Sequence, residues 1–535
     1  MRRRELAIVT LAVLLFFWFL GGHDLWAPDE PYFAEGAREM LADGEWVVPH
    51  VNGRVTTDKP PLFFWSIALA SMPGGRVTPW TARAPSALAA IVTLLLILRL
   101  ARRAGEPRIA WLAGGVLATT LMFWEKARWA QTDSLLCALV WVALSAFLAY
   151  RTGEADGRRA GLVFWAALAL AVLDKGPVGL LLPLGIALVT LAVDRDLGAW
   201  RRFAPLSGPL LFLLVAGLWP LAIHLWGAGD YSLWGALKEH FIERGLHGMH
   251  HKRPFWYYLR VLPVHLLPWS GLVPGAVVLA WRRRDPWDRF LLVVCGFVVL
   301  FFSISTEKRD LYVLPAVPAF ALLVARFIAT LAEEGPTGTR PVRRRWLFAG
   351  QTVVAGLLLL AGLAVPFAAR GRTEVPYWMP LALAALLVIC SASALVACRR
   401  RRVLPAALGP AVAFVAAYLF VTAVAFPAME SSKSARSFSS VLRDATAASR
   451  EAGHEVLAYD LSNLPEAFAF YSDGVYTRET EDPQVLVEHL EQEATVWAAM
   501  DAGGLETLPE QVRASLVVVE RTELSRKDVL LVRNR

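Results

Sequence analysis

Long apolar runs recur along the whole chain with only short polar segments between them, and that repetition restricts the fold more than any motif does. A bilayer core of ~30 Å takes about 20 apolar residues per helix, and somewhat fewer where neighbouring helices cover the ends. On that measure there are about thirteen spans, at 6–22, 82–100, 109–124, 129–150, 161–173, 178–193, 205–226, 259–281, 290–305, 311–331, 347–368, 377–397 and 403–426. A chain that is 56% hydrophobic and only 19% charged fits no soluble globular class. The expected fold class is therefore a polytopic α-helical membrane protein.

Charge placement supports that count, because loops on the cytoplasmic side carry the excess of Lys and Arg. The clusters are Arg2–Arg4; Arg102, Arg103 and Arg108; Arg151, Arg158 and Arg159; Arg195, Arg201 and Arg202; Arg282–Arg284 with Arg289; Arg340 with Arg343–Arg345; and Arg399–Arg402. With about thirteen crossings all of them fall on one side, which puts the N-terminus inside and the C-terminal segment outside. The net charge of +8 comes from these clusters, so nucleic-acid binding is discounted. Cys137, Cys295, Cys390 and Cys398 lie in or beside apolar runs without paired spacing and read as packing residues. The basic start followed by apolar residues 6–20 imitates a secretory signal. No small-x-small cleavage site follows, and the run is read as an uncleaved first span.

Composition changes near Glu430. The expected division is a transmembrane domain over 1–429, with a large first outer loop at 23–81, and a soluble outward-facing α/β domain over 430–535. In that domain a helix is expected over 434–452, ended by Gly453, with strands at 455–459, 495–499, 516–520 and 529–532 and a helix start at Asp482-Pro483. It carries no phosphate loop, which favours a docking or structural role.

The unusual polar residues gather in the outward segments. Asp29 and Glu30 leave the first span together. They either complement the dipole of the following helix or act as a base against an apolar wall, where desolvation brings a carboxylate toward neutrality. Asp58-Lys59-Pro60-Pro61 precedes the aromatic run Leu62–Trp65, read as an interfacial helix that puts Lys59 at headgroup depth, either on a lipid phosphate or snorkelling. Asp133 lies about one turn inside its span, a costly place unless it faces a cavity or a partner such as Arg128. Lys308, Arg309 and Tyr312 bring cations to the outer surface, where they ask for an anion, with Glu307 and Asp310 as the alternative partners. The loop with His240, Arg244, His247, His250 and His251 admits a divalent cation, with Asp58 and His240 as candidate ligands, though its spacing matches no standard motif.

Taken together, Trp26-Ala27-Pro28-Asp29-Glu30, Arg38–Leu41 with Gly44–Pro49, Asp58-Lys59-Pro60, Lys175-Gly176-Pro177, Pro254–Tyr258 and Lys308-Arg309 with Tyr312–Pro315 resemble the aminoarabinose transferase and protein O-mannosyltransferase branch of the GT-C glycosyltransferases. The resemblance implies an enzyme of the bacterial inner membrane that moves a pentosyl or hexosyl group from a polyprenyl phosphate carrier to a lipid A-like glycolipid or a protein. It implies that Asp29 activates or orients the acceptor hydroxyl and that Asp133 is a second acidic residue of the cavity. Lys59, Lys308, Arg309, Tyr312 and Arg244 are then placed at the carrier phosphate, and Glu30, Tyr32 and His251 on the acceptor side. The chain departs from the aminoarabinose pattern at Tyr32, where arginine is usual, at Asp58, where glutamate is usual, and at Lys308-Arg309-Asp310. Sugar and acceptor stay open. A reading from another class, a transporter or flippase of lipid-linked sugars, expects internal repeats with broken helices, and no repeat is found.

Overall fold

The computed structural model describes residues 3–56, 59–103, 107–226, 253–333, 341–368, 370, 376–524 and 527–534. The chain forms two compact units. One comprises Met1–Leu20, Thr57–Phe63 and Ala84–Ala425, and the other Gly21–Thr56, Phe64–Arg83 and Phe426–Arg535.

The first unit is helical, as its composition requires. Among the described residues eight helices are long and apolar enough to cross a membrane, or nine if one bent pair counts as a single span. Leu62–Gly74, Ile109–Thr119 and Val178–Val193 are shorter apolar helices. Two runs expected to be single spans are broken. Residues 109–124 form Pro107–Thr119 and Leu121–Lys126, parted at the extended Thr120. Residues 259–281 form Tyr257–His265 and Ser270–Arg283, bent by 117°. Pro263 and Pro268 lie at that bend and have no N–H to give a helix.

The two breaks supply each other's missing partners, as irregular backbone at membrane depth must. Leu121 N–H donates to the Leu267 carbonyl at 2.9 Å, Trp269 Nε1–H donates to Thr119 Oγ1 at 3.1 Å, and the Tyr418 hydroxyl donates to the Thr119 carbonyl at 3.1 Å. Arginines of the basic clusters pair with acids at neighbouring helix ends, Arg102 with Glu5 at 2.6 Å and Arg289 with Asp194 at 2.8 Å, and Arg326, within the Val317–Glu333 helix, pairs with Asp285 at 2.7 Å. The Ser207–Trp226 helix turns Leu210, Leu213, Leu218 and Leu225 outward, each more than half exposed, as a lipid-facing span does.

The second unit holds a five-stranded sheet in the order β4-β3-β5-β7-β6. Its strands are β3 Val456–Tyr459, β4 Thr477–Thr480, β5 Trp497–Asp501, β6 Leu516–Leu524 and β7 Lys527–Asn534, preceded in the chain by a short hairpin of β1 His50–Val51 and β2 Arg54–Val55. β4, β3 and β5 run parallel, and β7 and β6 return antiparallel. Successive residues face opposite layers. Val456, Trp497 and Leu531 pack with Phe438, Leu442 and Phe468, whereas Leu457, Ala498 and Leu530 pack with Leu486, Leu490 and Val512. The expected α/β architecture is present, with Arg436–Glu451 followed by Gly453 at φ +85°, and Asp482 accepting from Gln484 N–H at the start of Pro483–Leu490. β4 was not anticipated: Thr-Arg-Glu-Thr is short and polar, as an edge strand can be.

The first outer loop, apart from Thr57–Phe63, shares this unit with the tail. Asn52 and Gly53, at φ +57° and +70°, turn β1 into β2. The dipeptide Asn-Gly supplies the two positive φ values a tight hairpin needs. The Asn52 side chain then pairs with the edge strand, Nδ2 donating to the Thr477 carbonyl at 2.9 Å while Oδ1 accepts from Thr477 N–H at 3.0 Å.

Candidate functional site

In the membrane unit the polar residues meet where helices end. Asp133 lies in the first turn of Thr132–Arg151 and Lys175 is the last residue of Gly157–Lys175. The Lys175 ammonium donates to Asp133 Oδ1 at 2.5 Å and stands 5.3 Å from the ring centroid of Tyr312, which a 3₁₀ turn over Asp310–Ala316 presents. Gly176 ends the Lys175 helix at φ +68°, and a Cβ on Gly179 would come within 2.3 Å of the Ala171 backbone, so the turn is pressed onto its own helix. The partner of Asp133 is thus Lys175, whereas Arg128 donates to the carbonyls of Leu15 and Phe16. Beside this pair Asp174 is fully buried, with no hydrogen bond to either carboxylate oxygen among the described residues.

Lys308 has neither of the partners considered for it. The residue is 3% exposed, and its ammonium donates to the carbonyls of Arg253, at 3.1 Å, and Ser305. Asp310 instead faces His265 Nε2 at 3.2 Å, and among the described residues no carboxylate neutralises Lys308. Burial lowers the Lys308 pKa below the ordinary lysine value. The Tyr258 hydroxyl donates to the Arg309 carbonyl at 3.0 Å, fixing the backbone between Lys308 and Tyr312. A buried ammonium held only by carbonyl dipoles keeps its charge for an anion. Lys59 belongs to this unit and is half-buried, just ahead of the Leu62–Ser71 helix.

Asp29, Glu30 and Tyr32 belong to the other unit. Asp29 and Glu30 form the first turn of the Asp29–Asp43 helix, where its dipole favours them. Their environments differ. Asp29 is half-buried, whereas Glu30 is 1% exposed and closed in a two-point pair with Arg83, Nε to Oε1 at 2.6 Å and Nη2 to Oε2 at 2.7 Å. The Tyr32 hydroxyl meets Thr56 Oγ1 at 2.5 Å. Asp58, His240, Arg244 and His251 lie outside the described residues, and among the described residues no group of three metal-ligating side chains assembles.

The same unit stores protons on buried carboxyls. Burial, with the Glu35 charge beside it, pushes Glu39 up to about 8. Burial and the neighbouring Asp24 carboxyl push Glu430 up to about 7, and burial pushes Glu466 up to about 7. Each folded value lies above the ordinary 4.5, so the stability these groups contribute is complete below about pH 4.5 and is lost as pH rises through 7 to 8. The apparent Tm of the full chain in detergent is expected to fall between about pH 5 and 8, and Glu39→Gln to flatten the upper part of that fall. A Tm that rises across this window in both proteins contradicts the assignment.

Lys175 enters the sequence reading only within the Lys175-Gly176-Pro177 stretch, without a role of its own, and Arg83 and Asp174 do not enter it as site residues. A cation at the outward end of a span was the available signal for Lys175. Arg83 sits at the head of an apolar run and its partner Glu30 is 53 residues away, so no local pattern marks the pair.

The profile described as dolichyl-phosphate-mannose-protein mannosyltransferase matches residues 58–221. A protein of Aeromonas hydrophila named undecaprenyl phosphate-alpha-4-amino-4-deoxy-L-arabinose arabinosyl transferase is 32% identical over 370 residues, covering 67% of this chain and 66% of its own length. The chain thus spans just under two thirds of that curated relative. Among solved structures, ArnT from Cupriavidus metallidurans bound to undecaprenyl phosphate is similar with a TM-score of 0.76 at 24% identity, over 99% of this chain and 98% of that one. The archaeal oligosaccharyltransferase AglB from Archaeoglobus fulgidus is similar at 0.50 with 13% identity, over 94% and 69%. The structural likenesses speak for the fold.

Proposed function

Because this chain belongs to the GT-C glycosyltransferases, on the branch of the aminoarabinose transferases and protein O-mannosyltransferases, we propose that it transfers a sugar from a polyprenyl phosphate carrier to an acceptor of the bacterial envelope. The observation that carries this reading is Lys308, a buried ammonium without a carboxylate partner among the described residues. A lipid phosphate suits it, since the hydrocarbon tail stays in the membrane while the charge meets fixed donors at the surface.

In the proposed reaction the bond between the anomeric carbon and the carrier phosphate oxygen breaks, and the electron pair leaves with the phosphate. The acceptor hydroxyl forms the new bond at that carbon and gives its proton to Asp29. Lys59, Lys308, Arg309, Tyr312 and Arg244 stabilise the charge that develops on the leaving phosphate. Asp133 holds Lys175 against Tyr312 and so fixes that wall. The basic clusters support a cytoplasmic N-terminus, with reaction and tail domain on the outer face of the inner membrane. An aminopentose of the kind named for the Aeromonas relative is the first donor to test, with lipid A and a protein as acceptors.

The test is transfer of labelled sugar by the purified protein in proteoliposomes carrying a polyprenyl-phosphate-linked donor. Lys308→Gln is expected to raise the donor KM about tenfold or more, because a charged hydrogen bond to the phosphate is lost. Label that crosses the bilayer without becoming covalently attached would overturn the reading in favour of a flippase.

A further inference from the structure

The residues ahead of Asp29 have no regular structure, yet they are buried: His23 is 6% exposed, Asp24 8%, Leu25 1% and Trp26 7%. Buried backbone outside helix and sheet must find its hydrogen-bond partners elsewhere. Here side chains supply them. Asp24 N–H donates to Glu430 Oε1 at 2.9 Å, Leu25 N–H to the Tyr471 hydroxyl at 2.5 Å, and Trp26 N–H to Glu30 Oε2 at 3.1 Å. Arg83 donates from Nη1 to the His23 carbonyl at 2.9 Å and from Nη2 to the Asp24 carbonyl at 2.7 Å, while its Nε and Nη2 hold Glu30. The Asp24 carboxylate is tied to Arg436 Nε at 2.8 Å and Ser434 Oγ at 2.6 Å, and Phe426 closes on the rings of His23 and Trp26 at 4.9 and 5.4 Å.

We propose that Arg83, Glu30, Glu430 and Tyr471 are positioning residues that lock the strap His23–Trp26 and thereby set where the helix beginning at Asp29 starts. Glu30 serves Arg83 and the Trp26 amide, so its carboxylate is committed to the strap, one residue after the proposed base Asp29 in the same first helical turn. Arg83 is fitted to this task because its planar fork reaches a carboxylate and two carbonyls at once, which an ammonium on a flexible stem does not reproduce. The tail domain contributes Glu430 and Tyr471, which gives it a positioning part in catalysis beyond docking. For its effect on rate the proposal rests on the sugar-transfer reading above; for the strap itself it does not.

Tyr471→Phe removes one oxygen and leaves the ring in place, and Arg83→Lys keeps the charge and removes the fork. Both are compared with the wild type, full-length in proteoliposomes, by amide hydrogen exchange and by steady-state kinetics normalised to donor-binding sites. Exchange at Asp24, Leu25 and Trp26 is expected to rise about tenfold or more in Tyr471→Phe while β3, β5 and β7 keep their protection. With it, kcat is expected to fall about tenfold or more with donor KM within about twofold, the signature of a misplaced group rather than lost binding. Unchanged exchange in the strap in both variants overturns the proposal, as does an exchange rise with kcat intact. A rise confined to the strap in a protein whose wild type transfers no sugar leaves the lock standing and removes the sugar-transfer reading.

Discussion

Asp29→Asn is expected to lower kcat for sugar transfer by about 10²–10⁴-fold while leaving donor KM nearly unchanged, because the substitution keeps the shape of the side chain and removes its ability to take a proton. Asp29 is half-buried in the first turn of its helix, and the burden of holding the loop falls on Glu30 and Arg83. The apparent Tm of Asp29→Asn is therefore expected to stay within a few degrees of wild type, with the helix dipole losing only about 0.3–1 kcal/mol of interaction. Glu30→Gln is the contrasting variant. It leaves the Arg83 guanidinium fully buried without the Glu30 charge, a loss of about 3–5 kcal/mol that appears as lower yield and Tm before it appears as rate. Transfer by Asp29→Asn at the wild-type rate, in proteoliposomes with the donor saturating, would remove the base assignment and leave Asp29 as a helix-end charge.

Much of the architecture follows from one-dimensional pattern. The helix at Arg436–Glu451, the strands through Val456–Tyr459 and Val529–Val532, and the start at Asp482-Pro483 all announce themselves by periodicity and caps within a few residues. The breaks at Thr120 and at Leu266–Trp269 do not, because an apolar run reads the same whether it is one rod or two, and only Pro263 and Pro268 hint at the bend. Asn52-Gly53 was a readable hairpin signal lost inside a loop taken as one polar stretch. The site divides the same way. Asp29, Asp133, Lys308 and Tyr312 stand out because charge and aromatics at a membrane exit are conspicuous. Arg83 and Lys175 earn their importance from acids 53 and 42 residues away in the chain, and such pairings are set by packing that no local window contains.

Those long-range pairings also carry the second large effect, at Lys175. Lys175→Met removes the cation paired with Asp133 and next in the chain to the fully buried Asp174, leaving Asp133 without that ion pair. Breaking a buried pair from one end costs about 3–5 kcal/mol, since the partner stays buried and loses its compensation. The variant is expected to lose apparent Tm by several degrees and to transfer no sugar. Asp133→Asn alone costs less, because the freed Lys175 side chain is 18% exposed and its ammonium still lies against the Tyr312 ring. The double variant Asp133→Asn/Lys175→Met separates fold from function. With both charges gone the apparent Tm is expected to recover most of the loss, a coupling of at least about 1 kcal/mol between two residues in contact, while transfer stays absent because Tyr312 no longer has a cation beside it. A double variant whose Tm losses simply add would show that the 2.5 Å contact contributes nothing to the fold, and one that regains transfer would take Lys175 out of the wall that receives the carrier phosphate.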